Sequence, residues 1–109
     1  MTRQLSIGEQ TVKLCGNGAT AIRYKQVFNR DLLVSFAAME KGVYDLDLIK
    51  ELAFVMAMQA DGKSFTAITY EDFIEWLEQF EESDLIASMP DIISVWMNNA
   101  ETKVKSKKK

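Results

Sequence analysis

The spacing of apolar residues changes along the chain, from every second position at the N-terminus to helical spacing further on. Residues 4–15, QLSIGEQTVKLC, carry apolar side chains at alternate positions on either side of Gly8-Glu9: Leu5, Ile7, Val12 and Leu14. A two-residue connection with glycine first favours a type II′ turn. The stretch is therefore predicted as a β-hairpin, which must pack on the rest of the chain because an isolated hairpin is only marginally stable.

Two helices are predicted after a break at residues 16–18, GNG. The first covers residues 19–29, with one apolar side formed by Ala21, Tyr24, Val27 and Phe28. The second covers residues 31–42, where Asp31 suits the helix start and Gly42 the helix end. Its inward face is predicted to comprise Leu32, Leu33, Phe36 and Ala37.

The third predicted helix is capped near Asp45, ends at Gly62 and is apolar on nearly every side. One stripe is formed by Leu46, Ile49, Leu52, Ala53 and Met56, and much of the remaining surface by Leu48, Phe54, Val55 and Met58. A helix of this kind is usually central in its fold or has a second partner surface. The predicted core consists of Ile49, Leu52 and Met56, together with Phe73 and Leu77 from the next helix.

Residues 60–80 resemble the end of a calcium-binding EF-hand loop, where an acidic residue opens a helix. The spacing of the possible ligand residues, however, does not suit calcium. If Asp72 takes the last ligand position, Lys63 and Phe65 stand at positions 3 and 5, where the loop needs oxygen ligands. Thr69 and Asp72 fit a capping box instead, with the threonine as N-cap and the carboxylate three residues later. We therefore predict a fourth helix from Tyr70 to about Glu81, and no metal site.

The last apolar spacing predicts a fifth helix over residues 90–101. Ser83 is expected to cap a short turn before it, and Pro90 suits its first turn. Its face is formed by Ile92, Ile93, Trp96 and Met97. No apolar period continues beyond Lys103. The prediction is one domain over residues 1–102 and a disordered lysine-rich tail over 103–109. The fold class is α+β, mostly α, with a short N-terminal hairpin packed on about five helices.

Charge and hydropathy narrow the classes of partner. The net charge is −3, but five of the thirteen basic residues lie in the last seven positions, so residues 1–102 carry eight basic and sixteen acidic residues. A nucleic-acid partner is therefore not expected, because binding phosphates requires clustered lysine or arginine. No apolar run reaches the ~20 residues of a membrane span. The N-terminus lacks the apolar segment of a signal peptide, so we expect a cytoplasmic location.

The residue types favour binding over catalysis. Cys15 is the one cysteine and histidine is absent, which excludes the usual zinc sets and any Cys–His or Ser–His pair. Cys15 itself is predicted to be a half-buried structural thiol. The carboxylates of the fourth helix face outward, and no glycine-rich phosphate loop is present. We therefore expect a non-enzymatic binding or assembly protein without catalytic, metal or cofactor-binding residues.

Methionine and aromatic residues at the borders of the apolar stripes are candidates for partner binding or self-association, since these residue types are common in adaptable contact surfaces. The alternative is that they belong to an ordinary core. The acidic face from Glu71 to Asp84 is either solvated surface or a steering face for a basic partner. The candidate contact residues are Phe54, Val55, Met58, Trp76, Phe80, Trp96 and Met97.

The order of these parts resembles a known family. A hairpin, LSIGEQTVKL, precedes a helix with Arg-Tyr-Lys, helices rich in leucine and methionine, the helix TYEDFIEWLEQF and a final helix with tryptophan. This order is similar to that of the tail assembly chaperones of long-tailed bacteriophages and prophages, over residues 4 to about 102.

The resemblance implies a non-enzymatic protein that binds and solubilises the long helical tape measure protein, helps to recruit tail tube subunits and forms a homo-oligomer. Many such chaperones have a second, longer form made by ribosomal frameshifting, which the lysine codons of the tail could support. The alternative from another class is a small helical adaptor or regulator that binds one host protein.

Overall fold

The N-terminal hairpin consists of β1 (Thr2–Ile7) and β2 (Gln10–Cys15), which pair antiparallel with Ile7 opposite Gln10. The structure is a computed structural model that describes residues 2–42 and 45–108, the last eleven of them by backbone alone. Gly8 has a positive φ of 62°, and Asn29 is the non-glycine residue with positive φ in these ranges. A turn with positive φ at its first central residue alone is type II′, as the sequence predicts.

Five helices follow the hairpin, and a mostly helical α+β fold is confirmed. Their bounds are α1 (Thr20–Phe28), α2 (Leu32–Glu40), α3 (Leu46–Ala60), α4 (Tyr70–Leu77) and α5 (Glu82–Lys108). No helix in the described part of the chain is both long enough and apolar enough to span a membrane.

Helix α3 lies at the centre and contacts β2, α1, α4 and α5. Most of its residues are buried, which explains why it is apolar on nearly every side: each side faces a different neighbour. Ile49, Leu52, Met56 and Phe73 are buried as predicted, whereas Leu77 is half-buried. The core continues into the hairpin through Leu5, Ile7 and Leu14, so the hairpin packs on the helices and does not stand alone.

The predicted N-caps of α2 and α3 are both present in the structure. Asp31 accepts a hydrogen bond from the Val34 amide at 3.1 Å, and Asp45 accepts one from the Leu48 amide at 3.0 Å. At the other end of α3, Gly62 has a φ of 70°, which is the left-handed conformation that often follows a helix. The boundaries of α2 and α3 therefore follow from local chemistry.

The prediction of a separate helix starting at Pro90 is wrong, because α5 runs without a break from Glu82 and contains Pro90. Proline has no amide hydrogen and leaves the carbonyl four residues earlier, that of Ile86, without its helical donor. Pro90 is exposed and Ile86 is 49% exposed, so this carbonyl lies on the solvent side, where water can bond to it. The proline is tolerated in the helix for that reason.

The predicted inward face of α2 is only half right. Leu32 is buried and Phe36 is half-buried, but Leu33 is 64% exposed and Ala37 is also exposed. Helix α2 packs on α1, and this contact covers one side of it. The other apolar side chains of α2 are left at the surface.

The C-terminal residues are described by backbone only. That backbone stays helical to Lys108, whereas the sequence predicts a disordered tail over residues 103–109. Lys109 lies outside the described residues. The behaviour of this tail in solution stays a prediction.

Candidate binding groove and buried polar cluster

An apolar groove of about 480 Å³ separates α2 from α5. Its described lining contains one charged residue, Glu40, and otherwise apolar side chains. These come from both helices: Leu33, Phe36, Ala37, Met39 and Glu40 from α2, and Ile93, Trp96 and Met97 from α5. The groove can hold apolar side chains of a partner, and it has no pair of polar groups suited to acid–base chemistry.

The local sequence explains how the walls form. Helix α2 has no charged residue before Glu40, so every side it presents away from α1 is apolar or small. On α5, Ile93, Trp96 and Met97 are spaced by three and four positions, which places them on one side of the helix. Ile92 and Val95, which alternate with them, are buried against the core. The groove is thus formed by the faces that α2 and α5 do not use in the core.

Two of the predicted contact residues line this groove. Trp96 is half-buried and Met97 is 39% exposed. The α2 wall does not follow from the sequence, because apolar spacing predicts Leu33, Phe36 and Ala37 as core residues and does not mark Met39 or Glu40 as contacts. The signal in the sequence for this wall is the composition of α2, which carries no charged residue before Glu40.

Trp76 and Phe80 lie in a different place, in an aromatic cluster formed by α4, the turn after it and α3. Their ring centroids are 4.9 Å apart, and the Trp76 ring lies 5.7 Å from that of Phe54. Both residues are half-buried, as is Met58, which borders a shallow polar depression together with Trp76. These three residues keep some exposed surface but do not line the groove.

Phe54 and Val55 require a correction as candidate contacts. They are 1% and 0% exposed, because α4 and the hairpin pack over the side of α3 that carries them. A partner could reach them only if the monomer opened. They are core residues, which is the alternative that the sequence analysis kept for this set.

A partly buried polar cluster joins α1 to α3. The Tyr24 hydroxyl donates to Glu51 Oε1 at 2.5 Å, and Arg30 Nη1 donates to the same oxygen at 3.2 Å. Arg30 Nη2 also bonds to Asp45 Oδ2 at 2.5 Å. Arg30 lies just before α2, and Asp45 is the N-cap of the next helix, α3. The arginine therefore ties together the two ends of the segment that carries the α2 wall.

The pKa values in this cluster move in directions that burial and pairing explain. Burial raises the pKa of Tyr24, and its hydrogen bond to Glu51 adds to the rise. Burial also raises the pKa of Glu51 above its ordinary value, although the bonds from Tyr24 and Arg30 act against it. The Asp45 pKa is lowered: burial is the largest influence and opposes this, but the Leu48 amide and Arg30 outweigh it. Each group is held by a partner inside the fold, which is typical of a structural network.

The stretch over residues 60–80, which resembles the end of a calcium-binding loop, forms the predicted capping box. The Thr69 amide donates to Asp72 Oδ2 at 2.9 Å, and the Asp72 amide donates to Thr69 Oγ1 at 3.2 Å. Within residues 2–42 and 45–97, no three histidine, cysteine, aspartate or glutamate residues are grouped so that they could hold a metal ion. Cys15 is half-buried, as predicted.

Comparison with known proteins gives no relative from which a role could be transferred. No protein-family model, curated protein or solved structure matches the chain. The function is therefore inferred from the groove, the distribution of charge and the order of elements along the chain.

Proposed function

We propose that this protein is a non-enzymatic tail assembly chaperone of a long-tailed phage or prophage, acting in the host cytoplasm. It binds the tape measure protein, keeps it soluble and helps to recruit tail tube subunits. The groove between α2 and α5, with Trp96 and Met97 in its wall, is the observation that carries this proposal.

The shape of the groove supports a helical client. Two neighbouring helices present rows of side chains between which the apolar ridge of a third helix can pack. Methionine is flexible, so Met39 and Met97 can adapt to different client side chains as a long helix is bound at different points. A tape measure protein is a long helix with apolar stripes, which is the kind of ligand that such a groove accommodates.

The charge of the surface supports the solubilising part of the role. The exposed side of α4 and the residues that follow it carry carboxylates, among them Glu71, Glu75 and Glu78. No basic residue occurs between Lys63 and Lys103. A complex in which the apolar faces meet and this acidic surface remains outside repels other copies of itself.

Co-expression with a tape measure protein tests the proposal. The parent chain is expected to keep that protein in the soluble fraction and to co-purify with it. Met97→Asp and Ala37→Asp place a charge in the groove at exposed positions outside the α1–α2 corner, so they should fold normally and lose the client. Ile86→Asp is the matched control, because Ile86 is also exposed on α5 but does not line the groove.

The lysine-rich tail provides a second comparison. Residues 1–102 should retain the client, because the groove lies within them. If the parent chain left the tape measure protein insoluble, the chaperone role would be wrong and a small adaptor of a host protein would become the better explanation. If the folded groove variants solubilised the client as well as the parent does, the client would bind elsewhere.

A further inference from the structure

The corner between α1 and α2 carries a concentration of exposed apolar surface. Ile22 is 72% exposed, Val34 66% and Leu33 64%, and these are the most exposed large apolar side chains in the described part of the protein. Leu33 and Val34 lie at the start of α2, directly after a short connection in which Asn29 takes a left-handed conformation and Asp31 caps the helix, and Ile22 lies near the start of α1. A patch of this kind on a small domain marks a contact surface.

Ile22 and Leu33 face the same shallow depression, of about 160 Å³, although they belong to different helices. The turn at residues 29–31 brings them together. Leu33 also lines the groove between α2 and α5, so the two surfaces meet at this residue. Ile22 belongs to the corner alone and can be changed without touching the groove.

Opposite charges border the depression. Lys25 and Asp31 both line it, and both are exposed. Neither takes part in an ion pair within residues 2–42 and 45–97, where the ion pairs join Arg30 to Asp45 and Glu51, and Lys50 to Glu82. Asp31 Oδ1 accepts from the Val34 amide, which holds the carboxylate in place. An apolar centre with a fixed anion and a free cation beside it is complementary to itself.

The geometry points to a second copy of this chain as the partner of the corner, in a two-fold symmetric dimer. In such an interface the same patch serves both subunits, and a contact from one residue to another occurs twice. Ile22 and Leu33 of one protomer meet the same residues of the other. Lys25 then faces Asp31 of its partner, and Asp31 faces Lys25 of its partner.

This placement differs from the oligomer contacts expected from sequence. Trp76 packs against Phe54 and Phe80 inside the monomer, and Trp96 lines the client groove. The dimer contact takes Leu33 but leaves Ala37 of α2 and the α5 wall of the groove free, so a dimer can still hold a client helix. The proposed dimer does not require a client, and its association is measured without one.

Sedimentation equilibrium at several protein concentrations tests the dimer. The parent should show a reversible monomer–dimer equilibrium, and Ile22→Glu should remain monomeric over the same range. Ile86→Glu introduces the same charge at another exposed isoleucine, outside the corner, and should dimerise like the parent. A parent that is monomeric at every concentration, or a folded Ile22→Glu that dimerises like the parent, would overturn the proposal.

The charge pair allows a sharper test with two variants. Lys25→Glu alone and Asp31→Lys alone should each weaken dimerisation by about tenfold or more, because each change places like charges together twice. An equimolar mixture of the two variants should associate again, because every charged contact in the mixed dimer joins opposite charges. Each folded variant alone should sediment as a monomer at a concentration where the mixture forms a dimer.

Asp31→Asn is the control for folding. It removes the charge but keeps the helix cap, because asparagine caps a helix start as well as aspartate does. This variant should keep the circular dichroism of the parent and dimerise more weakly. If the mixture of folded charge variants associated no better than either variant alone, or if Asp31→Asn dimerised like the parent, the proposed pairing would be wrong.

Discussion

The Tyr24 hydroxyl donates a hydrogen bond to Glu51 across the contact between α1 and α3, over a separation of 27 residues in the chain. Arg30 donates to the same carboxylate oxygen. These two bonds do not fully offset the loss of water around Glu51, because burial leaves its pKa above the ordinary 4.5. The cluster therefore holds the start of the α2 segment in place at the cost of keeping a carboxylate away from solvent.

We predict that Glu51 makes the protein less stable as the pH rises above 4.5. A raised pKa means that the folded state binds this proton more tightly than the unfolded state does, so its contribution to stability is lost as pH rises through the folded pKa. Glu51→Gln keeps the shape and does not titrate. Urea titrations from pH 4.5 to neutral should show the free energy of unfolding of the parent falling relative to that of the variant. If the free energy of unfolding of the parent rose relative to that of the variant over this range, the raised pKa of Glu51 would be wrong.

Gly8, in the turn before β2, and Gly18, in the connection between β2 and α1, should respond differently to alanine. A Cβ at Gly8 would lie 2.3 Å from Asp84 Oδ2, on a backbone with a φ of 62°. Gly8→Ala should therefore cost about 1 kcal/mol or more, since left-handed conformations are unfavourable for residues with a side chain. A Cβ at Gly18 meets no atom within 4 Å, so Gly18→Ala should be neutral or stabilising by up to ~1 kcal/mol. Urea unfolding of both variants measures the difference, and equal effects would contradict the described turn.

Replacing Pro90 should strengthen α5. In a continuous helix, Pro90→Ala supplies an amide that can donate to the Ile86 carbonyl, and it should stabilise the protein by about 1–3 kcal/mol, less any share that water already provides. Thermal and urea unfolding both report this change. A loss of stability would indicate instead that the proline starts a separate helix, where its fixed φ is an advantage.

The capping box on α4 should contribute to stability independently of any metal. Thr69→Ala removes the hydroxyl that accepts from the Asp72 amide and should cost about 1 kcal/mol. Thr69→Ser keeps the hydroxyl and serves as the control. Melting temperatures of the parent and both variants should be the same in calcium and in EDTA. A melting temperature that rises with calcium would restore the metal-site hypothesis for this stretch.

The elements with strong local signals follow directly from the sequence. The β1–β2 turn needs a glycine at position 8, and the starts of α2, α3 and α4 need the caps Asp31, Asp45 and Thr69. Each of these signals involves residues within four positions of one another, so the rest of the fold is not needed to interpret them. The central position of α3 also follows, because a helix apolar on nearly every side must be covered on nearly every side.

The candidate site follows from the sequence only in part. Trp96 and Met97, predicted as contact residues, line the groove, whereas Phe54 and Val55, predicted with them, are buried by the neighbours of α3. Leu33 and Ala37 were assigned to the core although they are exposed. Apolar spacing shows that a side chain can be buried, whereas the neighbours that cover it are contributed by distant parts of the chain.

The tertiary structure alone decided the continuous α5, the polar cluster and the α1–α2 corner. Pro90 can remain in a helix because the Ile86 carbonyl, which it leaves without a donor, lies on the exposed side of α5, and that depends on which side of α5 the core occupies. Tyr24 and Glu51 are brought together by the packing of α1 on α3, and no local pattern marks them as partners. The sequence by itself therefore determined the β1–β2 turn and the starts of α2, α3 and α4, because those signals are local. The structure decided which apolar faces remain uncovered, because coverage depends on contacts between residues far apart in the chain.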